Sequence, residues 1–128
     1  MRKIIIIDDA FTLRVQLRSA LETVGYEVVE ADDGLTGLDV IESNPDASIL
    51  ISDVNMYSMD GLTMLKEVKE KKLLPDAGKI CLTTETNPEM KKKGKKAGLD
   101  AWFTKPLTPK RLEILLGLIE KLIVKRFK

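Results

Sequence analysis

The sequence predicts one α/β domain, a doubly wound five-stranded parallel sheet with helices on both faces, and three observations predict it. Five short apolar runs recur along the chain with amphipathic stretches between them, so strand and helix patterns alternate strictly. The connections are short, and crossover helices between parallel strands pack back on the sheet in right-handed sense, which covers both faces. The length of 128 residues suits one compact domain. Residues 1–128 are therefore expected to form a single unit with no output domain, repeat or linker.

Each element has its own justification. The first strand is expected over residues 3–7, where Ile4, Ile5, Ile6 and Ile7 leave no polar face and so imply burial on both sides. A helix follows with Leu13, Leu17, Ala20, Leu21 and Val24 on one face, stopping at Gly25. The second strand covers residues 27–30, and Asp33 before Gly34 caps the second helix. The third strand covers residues 48–52, with Asp60 before Gly61 starting the third helix. The fourth covers residues 79–82; Asn87 before Pro88 combines a capping side chain with proline at the first helical position, and Gly98 stops that helix. The fifth covers residues 101–104, and Thr108 with Pro109 opens a last helix whose core stripe is Leu112, Leu115, Leu116, Ile119, Leu122 and Ile123. Its basic end, Lys125 to Lys128, is expected to fray.

Composition removes whole classes of function. No apolar run approaches the length of a membrane span, and no signal segment follows Met1, so a cytoplasmic location is expected. With no histidine and one cysteine, the chain has no His-based acid/base catalysis, no His–Cys zinc site and no internal disulfide; Cys81 reads as a small buried hydrophobe in the fourth strand. The formal charge of +1 hides an asymmetry: residues 1–62 carry −8 and residues 63–128 carry +9.

In a doubly wound sheet the ligand site forms outside the C-terminal ends of the strands. There the sequence places Asp8 and Asp9 after the first strand, Asp53 and then Asn55 after the third, Thr83 and Thr84 after the fourth, and Lys105 with Pro106 after the fifth. Converging carboxylates repel one another unless a cation neutralises them. An all-oxygen set favours Mg²⁺ or Mn²⁺ over zinc or copper. An added ammonium and hydroxyl suit the negative oxygens of a phosphoryl group. A Gly-rich dinucleotide turn is missing after the first strand, and Gly94-Lys95-Lys96 lacks both the preceding strand and the hydroxyl residue of a P-loop.

The four groups in order, Asp8-Asp9, Ser52-Asp53-Val54-Asn55-Met56 with Met59-Asp60-Gly61, Thr83-Thr84-Glu85, and Trp102-Phe103-Thr104-Lys105-Pro106, resemble the receiver domain of two-component response regulators. Within that family the chain is similar to the single-domain chemotaxis members, over essentially its whole length. The resemblance implies a flavodoxin-like (βα)5 fold and a phosphoprotein that catalyses only its own phosphorylation and dephosphorylation. Asp53 is implied as the phosphoacceptor, attacking the phosphohistidine of a CheA-like histidine kinase. Asp9, Asp53 and the backbone carbonyl of Asn55 are implied as direct Mg²⁺ ligands, with Asp8 acting through water. Lys105 is implied to pair with Asp53 and the phosphoryl group, Thr83 to turn its hydroxyl toward the phosphate, and Trp102 to serve as the aromatic switch. Asn55 and Glu85 occupy positions that govern phosphate lifetime, and a short-lived phosphorylated state is expected. Tyr57 stands where the family usually has proline.

The resemblance places the output face on the fourth helix, fifth strand and fifth helix. Lys91, Lys92, Lys95 and Trp102 are expected there, joined by Ile114 and Leu118, which fall off the core stripe and are expected to be exposed. A flagellar motor switch protein or another target is the implied partner, and the protein is expected to act as a monomer. Nucleic acid is not expected, because the lysines carry no interleaved aromatics or recognition-helix motif. A phosphorelay shuttle or phosphate sink is the alternative within the family. From another class, a Mg²⁺-dependent phosphatase of the haloacid dehalogenase type has a D-x-D pattern after its first strand, whereas Asp8 and Asp9 are adjacent.

Overall fold

A computed structural model describes residues 1–127. Its elements run β1 (Lys3–Ile7), α1 (Phe11–Thr23), β2 (Glu27–Ala31), α2 (Gly34–Ser43), β3 (Ile49–Ser52), α3 (Gly61–Glu70), β4 (Gly78–Thr83), α4 (Pro88–Lys96), β5 (Ala101–Thr104) and α5 (Pro109–Phe127). The five strands form one parallel sheet in the order β2-β1-β3-β4-β5, the predicted doubly wound fold. Strands β1 and β5 match the sequence reading, and the ends of β2, β3 and β4 differ from it by one residue. Pairing sets these limits: Ala31 lies opposite Ile7, Gly78 opposite Ile49, and Thr83 opposite Thr104.

The sheet divides two cores. Ile5, Ile7, Leu50 and Cys81 point to the side covered by α2, α3 and α4, while Ile4, Ile6, Ile49, Ile51, Ile80 and Leu82 point to the side covered by α1 and α5. Each fully buried isoleucine of β1 contributes about 2 kcal/mol of hydrophobic stabilisation. The caps form as expected: Asp33 accepts from Thr36 N–H and Asp60 from Thr63 N–H, each at 2.8 Å. Asn87 accepts from Glu89 N–H at 2.8 Å and the Thr108 hydroxyl from Arg111 N–H at 3.3 Å. Gly25 and Gly98 adopt φ of 96° and 100°, the left-handed conformation that stops α1 and α4.

Three expectations need correction. Val24 is exposed because α1 ends before it, so its side chain falls off the stripe. The end of α5 does not fray before Lys128, which lies outside the described residues. Arg126 pairs with Asp100 and donates to the Ala77 carbonyl, and Arg2 stacks 4.7 Å from the Phe127 ring centre. Leu118 is half-buried and packs against the α1/α5 core, so the buried arc of α5 is wider than one stripe.

Candidate functional site

The C-terminal edge of the sheet gathers carboxylates from two strands. Asp8 leaves β1 and is buried, Asp9 next to it is exposed, and Asp53 leaves β3 and is buried. One oxygen from each lies within 4.8 Å of the others. From the exit of β5, Lys105 Nζ reaches Asp53 Oδ2 at 2.9 Å and Asp8 Oδ2 at 3.0 Å. Backbone donors hold the remaining oxygens: Val54 N–H donates to Asp53 at 2.6 Å and Ala10 N–H to Asp8 at 2.9 Å.

The electrostatics are unbalanced in a defined direction. Burial pushes the Asp8 carboxyl up, against the pull of the Ala10 N–H and Lys105, and the neighbouring Asp53 adds to the rise. Burial also opposes the Lys105 charge, but its hydrogen bonds to Asp53 and Asp8 outweigh that and hold the ammonium above its ordinary range. Three carboxylates against one ammonium leave a formal charge of −2. The donor set is oxygen only, which fits a hard divalent cation and not a thiolate- or imidazole-seeking one.

Local packing explains why the backbone presents Asp53 in this way. A Cβ on Gly61 would lie 1.9 Å from the Asp53 carbonyl oxygen, and Gly61 N–H donates to the Val54 carbonyl at 2.7 Å. The start of α3 is thereby pressed on the residue it serves, which only glycine permits. Between them the loop passes exposed Asn55 and exposed Tyr57, then turns at Ser58 with φ of 66°. A residue unnoticed in the sequence also braces the site: Arg14 donates to the Asp8 carbonyl and pairs with Glu30 at 3.0 Å. No local signal marks it, because its reach to Asp8 depends on how α1 turns against β1.

Thr83 and Trp102 are joined through one residue. The buried Thr83 hydroxyl accepts from Glu85 N–H at 3.2 Å, and Trp102 Nε1–H donates to the Glu85 carbonyl at 3.0 Å. Trp102 is half-buried against α4, where a Cβ on Gly94 would come within 3.2 Å of its ring. Beside it Lys91, Lys95 and Leu99 line a groove of about 300 Å³, Lys92 pairs with Glu89, and Ile114 stays exposed on α5. Cys81 is buried, as expected, and burial pushes its thiol up to about 12.

Comparison with known proteins agrees with this geometry. The response regulator receiver domain profile matches residues 4–116. Chemotaxis protein CheY1 of Helicobacter pylori is 33% identical over 90% of this chain and 97% of its own, and the CheY homolog of Campylobacter jejuni is 34% identical over 90% and 92%. Among solved structures, chemotaxis response regulator CheY4 of Vibrio cholerae superposes with a TM-score of 0.84 at 34% identity, covering 93% of this chain and 98% of that one. No helix among the described residues is long and apolar enough to cross a membrane. With the strand order, the clustered carboxylates and these relatives in agreement, the chain belongs to the response regulator receiver domain family.

Proposed function

We propose that this protein is a stand-alone chemotaxis response regulator that takes a phosphoryl group from a histidine kinase onto Asp53 and thereby changes its affinity for a target. The observation that carries the reading is Lys105 Nζ held between Asp53 and Asp8 beside a third carboxylate, Asp9. Asp9, Asp53 and the Asn55 carbonyl would hold Mg²⁺, or Mn²⁺, with Asp8 acting through water; when bound, the cation would supply charge neutralisation to carboxylates and phosphoryl oxygens. An Asp53 carboxylate oxygen attacks phosphorus in line, the new P–O bond forms as the P–N bond to the donor imidazole breaks, and the electron pair leaves with the nitrogen. Lys105 screens the negative oxygens in the transition state. The aspartyl phosphate is later hydrolysed by water, for which Asn55 and Glu85 set access.

Output follows from the Thr83–Glu85–Trp102 connection. A Thr83 hydroxyl drawn toward the phosphoryl group gives up its bond from Glu85 N–H, and Glu85 carries the change to Trp102 on the α4-β5-α5 face. A flagellar motor switch protein, the target implied by the chemotaxis relatives, docks there against Lys91, Lys92, Lys95, Trp102 and Ile114, with Leu118 beneath. Intact mass after incubation with Mg²⁺ and a small phosphodonor tests the chemistry. About one phosphoryl group is expected on the wild type and none on Asp53→Asn. Continued release of phosphate from the donor by Asp53→Asn at the wild-type rate would refute the assignment.

A further inference from the structure

The lysines of α4 look like one cluster in the sequence, and the helix divides them between two faces. Lys91 and Lys95, one turn apart, line the groove beside Trp102. Lys93 and Lys96 point the other way, into a second groove of about 760 Å³ between α3 and α4. Its walls are Lys66 and Lys69 from α3 with Lys93 and Lys96 from α4, and Glu70 is the one acidic residue lining it. Leu62 and Ala97 supply an apolar base, extended by the aliphatic stems of the lysines.

This positive charge is not spent within the protein. The ion pairs of the two helices lie elsewhere, between Lys71 and Glu42 or Glu67 and between Lys92 and Glu89. Lys66, Lys93 and Lys96 make no ion pair among the described residues, while Lys69 Nζ donates to the Lys96 carbonyl at 2.7 Å and bridges the two helices. Four ammonium groups around one apolar trough repel each other, and a ligand carrying carboxylates relieves that repulsion. The α3 wall runs from Leu62 to Glu70, on the order of 12 Å, room for about two turns of helix.

We infer that the α3–α4 groove docks an acidic amphipathic segment of a partner protein, apolar side chains over Leu62 and Ala97 and carboxylates on Lys66, Lys93 and Lys96. This surface is separate from the α4-β5-α5 output face, so the two can be occupied at once. Nucleic acid fits less well: among the described residues no aromatic side chain lines the groove for a base to stack on. Charge complementarity with an apolar centre is the pattern of helix-in-groove recognition.

The test uses the whole chain and a fluorescein-labelled helical peptide of about four turns, with a leucine stripe and a glutamate-rich face. Saturable binding is expected, weakening with salt, and Lys66→Glu with Lys93→Glu should weaken it about tenfold or more, while Lys91→Glu with Lys95→Glu leaves it within about twofold. Amide shifts on titration should centre on residues 62–70 and 93–97. Circular dichroism checks that the variants fold; if the glutamate pair does not, Lys66→Gln with Lys93→Gln replaces it. Absence of saturable binding overturns the inference, as does equal loss in the Lys91 and Lys95 variant. Tighter binding of an oligothymidine at the same lysines would reassign the groove to nucleic acid. A concentration-dependent dimer abolished by the Lys66 and Lys93 changes would reassign it to a second copy of the chain.

Discussion

Lys105 and Lys79 are both withdrawn from water, in part and in full, and their surroundings give them opposite properties. Lys105 faces two carboxylates and is held in its charged form. Lys79 lies buried in β4, where Nζ donates to the carbonyls of Leu74 and Ala77 at 2.8 and 3.2 Å. Burial lowers its proton affinity, an effect that the nearby negative charge of Asp100 only partly offsets. Between the lowered folded value and about 10.5 in the unfolded chain, the unfolded state binds the extra proton. Stability tied to Lys79 therefore rises with pH across that window and is lost as pH falls through the folded value. Urea midpoints of the wild type and Lys79→Met, measured from neutral to alkaline pH, should separate further in favour of the wild type as pH rises. Parallel curves would show that Lys79 keeps its proton as easily inside the fold as outside.

At the scale of elements, two helical glycines with the same propensity cost have opposite surroundings. Gly117 lies within α5, and a methyl group added there would meet nothing within 4 Å, so Gly117→Ala should stabilise the fold by about 1 kcal/mol, read as a higher thermal midpoint. Gly94 lies against Leu99 and Trp102, where an added Cβ would approach to 2.5 and 3.2 Å. Gly94→Ala should therefore gain nothing in stability and should change Trp102 emission; an equal gain at both positions would disprove the packing argument. This contrast also marks how far the sequence could be read. The order of strands and helices, the four caps and the residues at the strand ends were legible, because apolar period, capping side chains and motif spacing are all local signals. Illegible from sequence were the Gly61 contact with Asp53, the Arg14 brace, the Glu85 link and the partition of the α4 lysines. Each of these depends on how one element rotates against another, and a helix turned by about half a turn, roughly two residues, would exchange the faces on which Lys91 and Lys93 lie.

For the molecule as a whole, the sheet carries its concentrated negative charge at one edge and leaves most of it uncompensated. Parallel strands β1 and β3 are neighbours at the centre of the order β2-β1-β3-β4-β5, so their exits bring Asp8, Asp9 and Asp53 together whatever the surface contributes. Folding must bury two of these carboxylates, with Lys105 as the one cation among the described residues bonded to both. A divalent cation that binds only the folded form should then act as a stabiliser by mass action. At a free Mg²⁺ concentration ten times its dissociation constant the gain is about 1.4 kcal/mol, on the order of 5 °C in thermal midpoint for a domain of this size. Asp9→Asn should abolish most of that shift, since Asp9 is exposed and its loss leaves the core unchanged. Lys105→Ala should do the reverse: it removes the internal counter-charge, lowers stability by about 3 kcal/mol without the cation, and makes the Mg²⁺ shift larger than in the wild type. A midpoint indifferent to Mg²⁺ in all three proteins would mean that the carboxylates hold no divalent cation, and the phosphoryl site would have to work without a metal.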